Sequence, residues 1–202
     1  MEVYPVKVEC IKKRRKIHRR KLWRCGLSWN GEDGFEGYVS KKKIEKISIY
    51  CRRNRLRYYI DNRFAKRSSD YRTKFFENNK PVFGQSYICA YCGWPVHKDN
   101  VTVDHLYPVA AVSQSISLQK KLKRHGIEDI NDVKNLVPSC RSCNSRKGKK
   151  LGIWIFRGKI GRYPRIWLCR HILRLSIIGS LFAWLYINGY IEMIGEYFAL
   201  NK

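Results

Sequence analysis

The chain has 202 residues, of which 42 are Lys or Arg and 16 are Asp or Glu, giving a formal net charge of +26. That excess is far beyond what solubility requires and points to a polyanionic partner such as nucleic acid. Residues 1–84 alone carry 24 basic and 9 acidic side chains, so the front segment is the main electrostatic handle. The opening Met1-Glu-Val-Tyr-Pro-Val-Lys runs into cations rather than into an apolar core with a small-residue cleavage site, which argues against a secretory leader. An intracellular, cytoplasmic location follows as an expectation, with Cys10, Cys25, Cys51 and Cys169 as free thiols.

In chain order, Lys12, Lys13, Arg14 and Arg15 lead a run, continued by Lys16, Arg19, Arg20 and Lys21, that places eight cations in ten positions. Such a run suits a phosphate backbone and binding that weakens steeply with salt. A solvated arm or a localisation signal is the alternative. Over residues 38–60, Ile47 and Ile49, then Leu56, Tyr58 and Ile60, alternate about the polar Arg52-Arg53-Asn54-Arg55, which predicts a hairpin. A polar, partly helical stretch runs from Asn62 to Pro81, and Pro81 with Gly84 marks a boundary. Val101–His105 alternates as a short strand, residues 110–125 have the pattern of one helix stopped by Gly126, and a helical turn runs from the second cysteine pair to Gly148.

Two Cys-x-x-Cys pairs, Cys89/Cys92 and Cys140/Cys143, are separated by 47 residues. Each such turn offers two thiolates to one ion, so together they complete a closed tetrahedral site for a structural zinc. Unpaired buried thiols or a redox dithiol are the alternatives, and neither pair sits in a thioredoxin-like strand-to-helix context. The long gap holds Val103-Asp104-His105 and is followed by Asp132-x-x-Asn135-Leu-Val-Pro-x-Cys140-x-x-Cys143-Asn144-x-x-Lys147-Gly148.

This ordered string, Cys89 to Gly148, resembles the HNH endonuclease family, in the subgroup with a four-cysteine zinc knuckle. The third family position is Asn144 rather than histidine, as in other active members. The resemblance implies an α+β protein with a central treble-clef-like ββα-metal module. A basic nucleic-acid-binding region (1–84) would precede the nuclease module (85–150), and a hydrophobic, mainly helical packing region (151–202) would follow it. It implies a phosphodiester hydrolase acting on DNA, with RNA left open as substrate, in a phage or bacterial host cell. His105 would be the general base and Asn135 would orient it. Asp104 and Asn144 would hold one catalytic Mg²⁺ or Mn²⁺, and the zinc would be structural. An ideal strand sends Asp104 and His105 to opposite faces, so the backbone must bend if both address one phosphate. Lys147, Arg146 and Arg141 are further expected phosphate contacts. The alternative from another class is a zinc-dependent nucleic-acid-binding module without catalysis.

The 17 residues from Leu175 to Ile191 carry no charge, with Arg170 and Arg174 before them and Glu192 and Glu196 after. A helix packed against the nuclease module is the first reading, a partner surface the second, and a membrane segment the third, because the stretch falls just short of a bilayer span of about 20 residues.

Overall fold

The computed structural model describes residues 2–190. Its first layer is an antiparallel sheet, ordered β2-β3-β1-β4, from β1 (Val3–Glu9), β2 (Ser28–Trp29), β3 (Gly34–Ser40) and β4 (Arg57–Ile60). Val8 pairs with Phe35 on one side and Tyr58 on the other, so the inward residues of three strands are brought together. Two helices, α1 (Arg15–Arg24) and α2 (Lys41–Arg53), bury Leu22, Ile44, Ile47 and Cys51 against them. The basic run is thus an ordered element: Lys12, Lys13 and Arg14 form an exposed 3-10 turn into α1, anchored where His18 Nδ1 meets the Tyr50 hydroxyl at 2.8 Å.

The hairpin expected over 38–60 does not form. The segment between the strands is α2, because Ile44, Ile47 and Cys51 share one helical face while Ile49 is 54% exposed. Two alternating isoleucines fit either period, and the third apolar position, Ile44, decides for the helix. Arg55, at φ 54°, turns the chain from α2 into β4.

The break in packing comes near Ile60 rather than at Pro81–Gly84. Phe64, in a 3-10 turn, joins the core formed by Tyr91, Leu106, Leu122 and Val137. Phe75, on α3 (Tyr71–Asn78), packs with Tyr87, Val101, Val103 and Leu136. Two short antiparallel pairs follow: β5 (Ser86–Ile88) with β6 (Pro95–His97), and β7 (Thr102–His105) with β8 (Leu136–Ser139). Between β7 and β8 the expected single helix is two, α4 (Val109–Val112) and α5 (Ile116–Arg124). The break falls where the Ser115 hydroxyl accepts from the Leu118 amide and caps α5. The sheet layer joins this unit through the Ile60 amide on the Ser113 carbonyl and the Lys123 ammonium 3.0 Å from Asp61.

After α6 (Arg141–Lys147), which ends at Gly148 with φ 49°, come α7 (Ile153–Gly161) and α8 (Pro164–Ile187). Packing on the module is confined to α7 and the first two turns of α8. Side chains at Gly93 and Gly161 would overlap Trp167 and the Ala90 carbonyl, so glycine is what allows this close approach. From Ile172 onward every residue of α8 but the half-buried Leu185 is exposed, which corrects the expectation that the charge-free stretch packs against the module. Ile191, Glu192 and Glu196 lie outside the described residues.

Candidate active site and metal knuckle

Cys89 and Cys92 sit in the turn linking β5 to β6, closed by the Gly93 amide on the Cys89 carbonyl and the Cys89 amide on the Trp94 carbonyl, both 2.9 Å. Cys140 caps the N-terminus of α6 and its Sγ accepts from the Cys143 amide at 3.4 Å. The four Sγ atoms lie within 4.8 Å of one another, which suits one tetrahedral soft ion. The Ala90 amide bonds the Pro138 carbonyl, so the first turn is tied directly to β8 and hence to the strand pair carrying the Asp-His dipeptide.

On that pair, Asp104 faces Val137 and His105 faces Leu136. Both side chains nevertheless line one cleft of about 580 Å³, together with Asn144 from α6. The strand ends at His105, where the Leu106 amide bonds the Asn135 carbonyl, and the chain turns there. Asp104 Oδ2 is held twice, by the Tyr91 hydroxyl at 2.6 Å and the Lys147 ammonium at 2.8 Å. Burial first, then the carboxylate, pushes the tyrosine pKa up, so Tyr91 remains the donor. Oδ1 makes no hydrogen bond among the described residues, and neither does the Asn144 side-chain amide. These two hard oxygen donors in one cleft are the kind of set that holds Mg²⁺ or Mn²⁺.

His105 is fixed by a residue that sequence inspection passed over. Its Nε2 lies 3.2 Å from Asn131 Oδ1. The Asn131 amide donates through Nδ2 to the Lys66 carbonyl and Asp129, while its Oδ1 accepts from the Ser68 amide. With Oδ1 an acceptor, Nε2 of the histidine is the donor, which leaves the lone pair on Nδ1. Nδ1 is buried and has no partner. Burial pushes the imidazole pKa below its ordinary value, so the ring is neutral at physiological pH. Tyr71 covers the ring at 5.2 Å.

Asn135 does not touch the imidazole. Its side chain accepts from the Tyr107 amide at 2.9 Å and donates to the Ile130 carbonyl at 2.8 Å, so it holds the backbone that follows His105. Lys147, expected at the surface as a phosphate contact, is buried. It is 0% exposed, its ammonium donates to the His105 carbonyl at 2.7 Å as well as to Asp104, and burial pushes its pKa down while Asp104 opposes that. The i and i+3 positions on α6 explain this: Asn144 faces the cleft and Lys147 lies one turn deeper. Arg141 and Arg146 are exposed on the same helix, and Lys12, Lys13, Arg14 and Arg15 do not line the cleft. The cations that do are Arg57 on β4, Arg67 and Lys149. Each stands beside other basic residues, Arg55, Lys66 and Lys150, and nothing in the sequence singles it out for such a role, nor does anything single out Tyr91 within its Cys-x-x-Cys turn.

Residues 89–150 match the HNH endonuclease family model. The match spans the knuckle, β6, the β7–β8 pair with α4 and α5 between its strands, and α6, while the sheet layer, α3, β5 and the last two helices lie outside it. No curated protein and no solved structure matches the chain. The family is one of nucleases and nucleic-acid-binding proteins.

Proposed function

We propose that the chain is an HNH endonuclease that hydrolyses DNA phosphodiester bonds, nicking or cutting, with His105 as general base and one divalent cation held by Asp104 and Asn144. The observation carrying this reading is that His105, Asp104 and Asn144 line one cleft, with Nδ1 of the imidazole left without a hydrogen-bond partner. Bound there, Mg²⁺ or Mn²⁺ supplies charge neutralisation at the phosphoryl and leaving oxygens. His105 takes the proton of the attacking water at Nδ1, and its Nε2–H stays on Asn131, which keeps the ring oriented as it becomes charged. Tyr91 and Lys147 position the Asp104 carboxylate by occupying Oδ2, and Asn135 positions the chain beyond His105. Arg57, Arg67 and Lys149 at the cleft rim draw in the phosphate backbone without reading sequence.

In the same reading the four cysteine thiolates hold zinc. A site closed by four thiolates has no open position, so this ion is structural and separate from the catalytic one. An intracellular setting belongs to the proposal, since free thiolates persist as ligands where thiols stay reduced. The test is conversion of supercoiled plasmid by the wild type and by Asp104→Asn, with Mg²⁺ or Mn²⁺. The wild type nicks or linearises the plasmid in either metal and the variant does not. Equal cleavage by both removes Asp104 from the site.

A further inference from the structure

Helix α8 carries a feature that nuclease chemistry leaves unused. Only 6% of its apolar window is buried against the protein. Its exposed residues do not form a stripe: Ile172, Leu173, Leu175, Ile178, Leu181 and Ile187 project around the whole circumference at 100° per residue. A groove on a protein partner covers one face of a helix, and a second copy covers one seam. A helix apolar on every side is satisfied by a medium that surrounds it.

We infer that the exposed part of α8 with the turn after it, from Ile172 to Tyr190, inserts into a lipid bilayer and holds the HNH module at the membrane surface. This inference is independent of the nuclease reading. The helical part, Ile172–Ile187, is about 24 Å long at 1.5 Å per residue, most of a hydrocarbon core of about 30 Å. Its ends carry the residues expected at headgroup level. Arg165, Arg170 and Arg174 lie at the start, and Arg174 is long enough to lift its guanidinium out of the hydrocarbon. At the far end the Trp184 and Tyr190 rings stack at 5.6 Å, in the position of an interfacial aromatic belt. The basic end is also the end fastened to the knuckle. Arg170 donates to the Cys92 carbonyl at 3.2 Å, and the His171 ring lies 3.1 Å from the Gly93 carbonyl. The module and its +26 chain therefore sit on the basic side, facing the anionic headgroups of the cytoplasmic leaflet.

The experiment is flotation of the full chain with vesicles of phosphatidylethanolamine and phosphatidylglycerol in equal parts. It is run at low salt and at about 1 M salt, where screening over ~3 Å removes attraction by headgroup charge alone. The comparison is Ile178→Lys with Leu181→Lys, whose side chains touch no core, so plasmid binding and far-UV circular dichroism stay at wild-type level. Each lysine at hydrocarbon depth costs about a hundredfold in partitioning. The wild type floats at both salts and the double variant only at low salt. The inference is overturned if the wild type stays at the bottom at high salt, or if the double variant floats with it there. It is equally overturned if the wild type forms a soluble oligomer without lipid that the two lysines dissociate, since a second copy would then be the occupant.

Discussion

Replacing Lys147 by methionine separates two roles for one residue. The side chain keeps its volume but loses two charge-assisted bonds, 2.8 Å to Asp104 Oδ2 and 2.7 Å to the His105 carbonyl. Such bonds contribute roughly 1.5–3 kcal/mol each, and methionine recovers part of this because no ammonium need be desolvated, an effective penalty of several kcal/mol. The net loss is on the order of 1–3 kcal/mol, which at about 2–4 °C per kcal/mol lowers Tm by roughly 2–12 °C. Asp104 then rests on Tyr91 alone, and a displacement of about 1 Å at a metal ligand costs on the order of 10²-fold in cleavage rate. DNA affinity and its salt dependence stay unchanged, since the ammonium is out of reach of phosphate. The assays are plasmid nicking, thermal melting and anisotropy titration across a salt series. The reasoning is refuted if the variant keeps wild-type cleavage and Tm while its salt slope falls by about 0.9, the signature of one lost phosphate contact.

The knuckle should bind one zinc per chain; Cys140→Ala with Cys143→Ala, or strong chelation, should release it and melt the HNH module, read by metal analysis and circular dichroism, and a fully folded metal-free module would contradict this. Neutralising Arg57, Arg67 and Lys149 together should flatten the log–log salt dependence of DNA binding by nearly three, against no change if the DNA track lies elsewhere. Burial alone would raise the Asp61 carboxyl, but hydrogen bonds from Arg63 and Lys123 outweigh it and hold the pKa at about 2 against an ordinary 3.8. The folded state thus binds fewer protons than the unfolded chain, so this stabilisation is complete above about pH 4 and is lost as pH falls towards 2. Asp61→Asn should flatten the acid limb of the stability curve and cost on the order of 1–2 kcal/mol at neutral pH, measured by denaturant titration across pH; an unchanged limb would show that the pair is solvated.

The elements legible in the sequence are those where chemistry or punctuation is local. The four cysteines, Asp104, His105 and Asn144 stand in one motif, and the fold clusters the four thiols and lines one cleft with the other three. Gly126 and Gly148 end helices α5 and α6 at positive φ, as their positions imply. Where the reading failed, the deciding information was three-dimensional. Ile47 and Ile49 alternate like a strand, yet the sheet already fills β3 and β4, and Ile44 completes a helical face for α2 to bury. Lys147 looked like a surface cation because lysine usually is one, and only the buried Asp104 beneath it explains its place. Asn131 is a polar residue in a loop whose role depends on Ser68, Lys66 and His105, distant from it in the chain.

The most direct test of the nuclease reading is Mg²⁺- or Mn²⁺-dependent conversion of supercoiled plasmid by the wild type and by His105→Ala, at matched zinc content and with DNA binding measured in parallel. Cleavage by the wild type and its loss by a factor of about 10²–10⁴ in a variant that still binds DNA is the expected result. Salt-sensitive binding by a wild type that cleaves in neither metal would contradict it and leave a nucleic-acid-binding module without catalysis.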